Sequence, residues 1–440
     1  MDQLTPSLSL LVAIDAGCFR AEVFAVFRVM LGGWICCLGR RTISRVWETT
    51  GWSQTQDHSA AFRLFSQAVW NWDEVCRLLL LDLIAHLVPG TEVWLVVDDT
   101  LCHKRGGQVA FGGIFLDAVL STAKHKVFRY GNNWVTLGVV VSLPFRPDRY
   151  YCLNVLWRVC EKRGAQTKAE HRTKPQLAAE MVRLIARWLP GYKLRVVGDV
   201  AYVGQPLLKD RPSQVDIVGP IHWKAALSEP LSSPPPPRRK QGLRLPSPQA
   251  MLQENDPRWP VEKLRLVYPG GAKELEVKVV RDVCWYPAAG PRPLLLVLVR
   301  DPEGKWRNEA LLSTDTTLTP EQVIAGYCRR WSVEVAYADS KGFLGLHDPE
   351  VWCEHSVERA HPMSWYVGSL VILWYTLFGR DEPTPQRHRP WYRHKPEVTF
   401  ADMLATCRYH LWQHWLAKSA SPAELEQRSA WLLEYLATAA

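Results

Sequence analysis

The chain carries 11 cysteines but no Cys-x-x-Cys pair and no Cys/His cluster at zinc spacing. That excludes a zinc-ribbon or zinc-finger fold. An odd count without a framework implies free thiols in a reducing cytosol, not a secreted disulfide scaffold. The N-terminus lacks a basic n-region and holds Asp2 and Asp15, so it does not read as a secretory signal. The apolar run of residues 21–39 is broken by Arg28 and Gly32–Gly33, too interrupted for a membrane span. The expectation is a soluble, cytoplasmic protein without a membrane partner. The helical N-terminal stretch shows no clear helix-turn-helix signature, so a DNA-binding role there has no motif behind it.

What is present points elsewhere. A length of 440 residues allows two or three domains, and 47% hydrophobic with 22% charged residues reads as globular. The formal charge of +9 favours an anionic partner, nucleic acid being the commonest. Tryptophan is abundant, at 21 residues. Aromatic faces can stack on bases, but most of these side chains are expected in the core.

Periodicity divides the chain. Residues 1–90 read as helices, ending at Pro89–Gly90. Val93–Val97 is a run of β-formers closing on Asp98–Asp99–Thr100, followed by the basic, glycine-rich LCHKRGG with Lys104 and Arg105. Strands follow at Trp134–Leu143 and Tyr150–Val159, then a basic loop, 161–174, and a helix over Lys174–Leu189. Tyr192–Val197 is a strand closing on Gly198–Asp199, and Val215–Val218 is another. A second acid thus ends a second β run, at a sheet rim where sites are commonly built.

Residues 226–318 combine a proline-rich loop with four strand-like runs, a β-rich insertion. Helical patterning resumes at Thr319–Pro320–Glu321, and residues 346–440 read as helices. They are interrupted by a basic, proline-rich loop carrying Trp391 and Tyr392. His410 and His414 stand four apart but lack a third ligand, so a helix face is the better reading.

The stretch 327–341, YCRRWSVEVAYADSK, carries the most chemistry. On one continuous helix, Tyr327, Arg330, Glu334 and Lys341 fall at about 0°, 300°, 340° and 320°, one stripe about 60° wide. The plain explanation is a solvated face with a Glu–Arg pair, worth a few tenths of a kcal/mol. The functional one is a metal-holding acid flanked by phosphate-holding cations.

Tyr-x2-Arg-x3-Glu-x6-Lys, matched at those four positions, resembles the signature of a group of bacterial insertion-sequence, cut-and-paste DDE transposases. VVDDT ending in Asp99–Thr100 resembles their first acidic motif, and VVGDVAYVG around Asp199 their second. The resemblance spans about 91–345. It implies an α/β fold with a ribonuclease H-like catalytic core, in two pieces (91–225 and 319–345) around the insertion, between helical N- and C-terminal regions. It implies Asp99, Asp199 and Glu334 as catalytic metal ligands for two Mg²⁺ or Mn²⁺ ions. Alternation along the strand separates Asp98 from Asp99, and with the family pattern it selects Asp99. Tyr327, Arg330 and Lys341 would contact DNA phosphates, with Lys104 and Arg105 adding basic contacts. Trp306, ahead of Trp285, is the candidate for stabilising a flipped base at a DNA hairpin.

The implied activity is cutting of transposon ends and their joining to target DNA, through a hairpin intermediate. The implied partners are double-stranded DNA, namely terminal inverted repeats and target, and a second copy in a synaptic homodimer. The setting would be a bacterial cytoplasm, nucleoid-associated. Two alternatives stay open: an inactive DNA-binding descendant, and an unrelated metal-dependent hydrolase.

Overall fold

A computed structural model describes residues 4–54, 56–162, 171–232, 240–268, 271–383 and 397–438. The Trp391–Tyr392 tract, most of the 161–174 loop and residues 233–239 of the proline-rich loop lie outside the described residues.

Ten strands form one sheet: β1 (Glu92–His103), β2 (Gly113–Leu116), β3 (Phe128–Leu143), β4 (Arg146–Cys160), β5 (Lys193–Val197), β6 (Val215–Pro220), β7 (Glu262–Tyr268), β8 (Gly271–Cys284), β9 (Pro293–Arg300) and β10 (Glu309–Ser313). The order is β2-β3-β1-β5-β6-β10-β9-β8-β7, with β4 also on β3. β1, β5 and β6 are parallel neighbours, whereas β1, β3 and β4 form an antiparallel meander. The apolar run Val93–Val97 is what a strand covered on both faces requires, and β5 is apolar apart from Lys193 and Arg195. The mixed α/β architecture expected from sequence is present.

Two differences alter the site. β1 runs on to His103, so Asp98 and Asp99 lie within the strand, not at its end. β1 keeps its β3 partner from Trp94 to His103, while its pairing with β5 stops at Val96↔Val197. The acids therefore stand where one neighbouring strand has ended, which opens a rim inside the sheet. Further on, β10 pairs antiparallel with β6, so β7–β10 continue the same sheet. Lys193 and Arg195 of β5 fasten this junction by bonding Asp315 at 2.6 and 3.0 Å.

The stretch 327–341 is also not one helix. Pro320–Cys328 and Trp331–Phe343 are separate helices joined by a tight turn of i→i+3 bonds, including Arg330 N to Tyr327 O at 3.0 Å. Neither proline nor glycine marks this break. Gly326 lets the first helix lie on β1, since a Cβ there would meet the Trp94 ring at 2.5 Å.

The N- and C-terminal helices share one core. Phe27 and Trp34 from Ala21–Cys36, Trp134 and Leu137 from β3, and Trp365 and Tyr366 from Met363–Trp374 are buried in a single cluster. Trp34 Nε1 donates to Leu344 O at 3.0 Å, tying the N-terminal helices to the end of the Glu334 helix. All eleven cysteines are free thiols. Among the described residues, no helix is long and apolar enough to cross a membrane. His410 is buried, its ring beside Trp374 and Tyr409.

Candidate functional site

Strand alternation sets the two faces of β1. Val96 packs with Val333 and Tyr337 of the Trp331–Phe343 helix, and Trp94 lies against the same cluster. Asp98 continues that face. Asp99 points the other way: its oxygens accept from Lys174 Nζ at 2.5 Å and Tyr202 OH at 2.9 Å.

Asp98 Oδ2 accepts from Arg330 Nη1 at 2.9 Å, and Glu334 Oε1 accepts from Arg330 Nη2 at 2.6 Å. One guanidinium thus bridges two carboxylates brought together from β1 and the Glu334 helix. Burial pushes the Asp98 carboxyl up to about 7, although the Arg330 charge opposes it, and the nearby Asp199 adds to the rise. For Arg330, burial works against the charge, but Asp98 and Glu334 outweigh it and hold the guanidinium above its ordinary pKa.

Asp199 follows β5 by two residues, as Asp98 follows the last β1 rung to β5 by two. Its Oδ1 accepts from Ala201 N at 2.8 Å, which fixes the turn and leaves the carboxylate at the rim. Asp98, Asp99, Asp199, Glu334, Tyr327, Arg330 and Lys341 all line one cleft of about 1040 Å³. Tyr327 arrives from the preceding helix, so the stripe expected on one helix is assembled across the turn.

Lys104 and Arg105 are not among the cleft-lining residues. The Lys104 ammonium donates to the carbonyls of His347 and Pro349 at 2.9 and 2.7 Å, and burial lowers its pKa to about 8. Arg105 is exposed. His103, which the sequence places beside the acids, lines the cleft, as do Asp117 and His347, which sequence reasoning missed. His103 Nε2 and Asp117 Oδ2 are 2.6 Å apart, and the rings of His103 and His347 stack at 5.2 Å. Burial, reinforced by Lys341, lowers His347 to about 4, so its neutral Nδ1 accepts from His103 N. Only the polar LCHK segment hinted at His103, and no motif marks His347.

Among the described residues, no three histidine, cysteine or acidic side chains converge closely enough to hold a metal ion. The chemistry of the donors suits a hard cation, but as placed they do not fit one: Arg330 lies between two of them.

Trp306 lies in the loop before β10. It packs edge-on to Tyr268 at 5.2 Å and beneath Lys273, and it lines an apolar hollow of about 640 Å³ beside the cleft. Arg307, Glu309, Tyr327 and Arg330 border both spaces. Trp285 instead packs against the main core.

One acid on β1 and one just past its parallel neighbour β5 thus face a helix that carries a third. A family model described as DDE superfamily endonuclease matches residues 15–286, well over half of the chain, and the chain belongs to that family. The matched span includes Asp98, Asp99 and Asp199 and ends before Glu334. Membership implies a transposase-like nuclease with a DNA substrate, and enzymes of the superfamily generally use divalent metals. A search of curated proteins found no match.

Proposed function

We propose that this protein is a cut-and-paste DNA transposase of the Tyr-x2-Arg-x3-Glu-x6-Lys group, with Asp98, Asp199 and Glu334 as its acidic centre. One observation carries the reading: these three acids, from two strands and a helix, line a single cleft with Tyr327, Arg330 and Lys341. Asp98 replaces Asp99 in this assignment because it shares the face of β1 that meets Glu334, whereas Asp99 is engaged by Lys174 and Tyr202.

Residues 91–225 and 319–345 are read as the catalytic core, 226–318 as the insertion, and 1–90 and 346–440 as the helical regions that brace it. Lys341 would hold a phosphate as a point charge, and Arg330 in bidentate fashion once freed from an acid. The Tyr327 hydroxyl would add a hydrogen bond to the same backbone. The cofactor of this reading is a pair of Mg²⁺ or Mn²⁺ ions, which the acids do not hold while Arg330 joins Asp98 to Glu334. Trp306 and its hollow suit an extruded base, which supports a hairpin intermediate. Two copies would pair the two ends in synapsis.

The test is nicking of DNA carrying the element's terminal repeats, with Mg²⁺ or Mn²⁺. Wild type should nick, and Glu334→Gln should bind the same DNA without cutting it. DNA binding without cleavage by the wild type would leave the inactive-descendant reading. Cleavage of a small ester without DNA affinity would favour an unrelated hydrolase.

A further inference from the structure

The β2–β3 hairpin presents an unusual surface at the mouth of the cleft. Leu116 and Phe128 are paired across it, as are Ile114 and Tyr130. Val119 and Leu120, at the turn, are 83% and 46% exposed, and both line the cleft.

This tip is rigid. The buried Asp117 accepts from Val119 N and Leu120 N at 3.0 and 3.1 Å and is bonded to His103 on its other oxygen. Ser121 N donates to Asp117 O, Thr122 N to His125 O, and Asp117 N to Val127 O, closing the turn from within. Two apolar side chains are thus held in water by a turn that cannot fold them inward. A preorganised apolar tip loses little entropy when it meets a partner.

The surrounding charge selects the partner. Lys124, His125, Lys126 and Arg129 are exposed on the same hairpin, and no acidic residue occurs between Asp117 and Asp148. Lysine is depleted in protein–protein interface cores, whereas cations beside an apolar wedge suit a duplex that is being bent or unstacked.

We propose that the 113–130 hairpin is a DNA-contacting arm: Val119 and Leu120 wedge into the duplex at the cleft mouth, and Lys124, Lys126 and Arg129 hold the flanking phosphates. This rests on the reading of the cleft as acting on DNA. The arm holds the DNA open beside the acids, so that a distorted strand, not an intact duplex, faces them.

The full-length protein is titrated, without divalent metal, against a forked duplex carrying 2-aminopurine at the fork, over a salt series. Wild-type binding should raise the 2-aminopurine fluorescence. Val119→Ser with Leu120→Ser should abolish the rise while leaving the salt dependence intact. Lys124→Ala, Lys126→Ala and Arg129→Ala together should lower the slope of log K against log salt by about 3. All five positions are solvent-exposed, so the variants should fold. If wild type binds DNA but neither variant changes signal or slope, the arm proposal fails and the DNA reading stands. If wild type binds no DNA, both fall. If the serine pair instead dissociates a wild-type dimer in sedimentation and leaves the fluorescence unchanged, the tip is a protomer contact and the proposal is overturned.

Discussion

Arg330 and Asp98 are 232 positions apart in the chain and meet at 2.9 Å on the floor of the cleft. The same guanidinium reaches Glu334, so a single cation stands where a catalytic metal would have to share oxygens. Arg330→Ala should leave two half-buried carboxylates unpaired and cost about 2 kcal/mol of stability. Added Mn²⁺ should raise the melting temperature of this variant more than that of wild type, because the ion no longer competes with the side chain. Equal gains in the two proteins would show that Arg330 is not in the metal's place.

The two neighbouring aspartates should behave oppositely. Asp98→Asn should reduce DNA cleavage by about a hundredfold to a thousandfold, because an amide is a poor substitute for the anionic oxygens that a hard cation takes. Asp99→Asn should keep substantial cleavage but lose about 1–3 kcal/mol in urea unfolding, because Lys174 and Tyr202 lose a charged partner. The reverse pattern would return the assignment to Asp99.

Far from the cleft, Asp15 is buried against Tyr366, and burial raises its pKa from 3.8 to about 7, against the Tyr366 hydrogen bond. The folded state therefore keeps a proton that the unfolded chain has released. Stability should fall as pH rises from about 4 to about 7, by an amount on the order of 4 kcal/mol at most. Asp15→Asn, which keeps an acceptor for Tyr366, should flatten that part of the pH profile. An unchanged profile in denaturant titrations would contradict it.

Lys104 spans from β1 to the loop after the Glu334 helix through two backbone carbonyls. Lys104→Met should preserve the packing of its stem but leave both carbonyls unsatisfied, at a cost of about 1–3 kcal/mol. Because Lys104 does not line the cleft, the salt dependence of DNA binding should stay within error of wild type. A reduced salt slope would instead make Lys104 a phosphate contact.

Much of this architecture was legible beforehand. Val93–Val97 announced a buried strand because a strand covered on both faces is apolar throughout, and Tyr192–Val197 read as one despite Arg195. β2 was not legible, since four residues after a glycine pair offer no alternation to read. The helix break at Arg329–Arg330 carries no proline or glycine, so tertiary packing decides it. Alternation separated Asp98 from Asp99, but only the fold shows which face the Glu334 helix covers. His347 and Lys104 meet across 243 residues, a relationship no local pattern encodes.

The β10–β6 ladder has a mechanical consequence. Because β7–β10 are hydrogen-bonded into the same sheet as β1 and β5, a continuous ladder links the strands beside Trp306 and Asp199. A strand of DNA gripped near Trp306 would transmit its load through backbone bonds to the acidic rim, and β7–β10 would act as a stiff beam. Excising 226–318 would remove β10 and bare the hydrogen-bonding edge of β6, leaving an aggregation template.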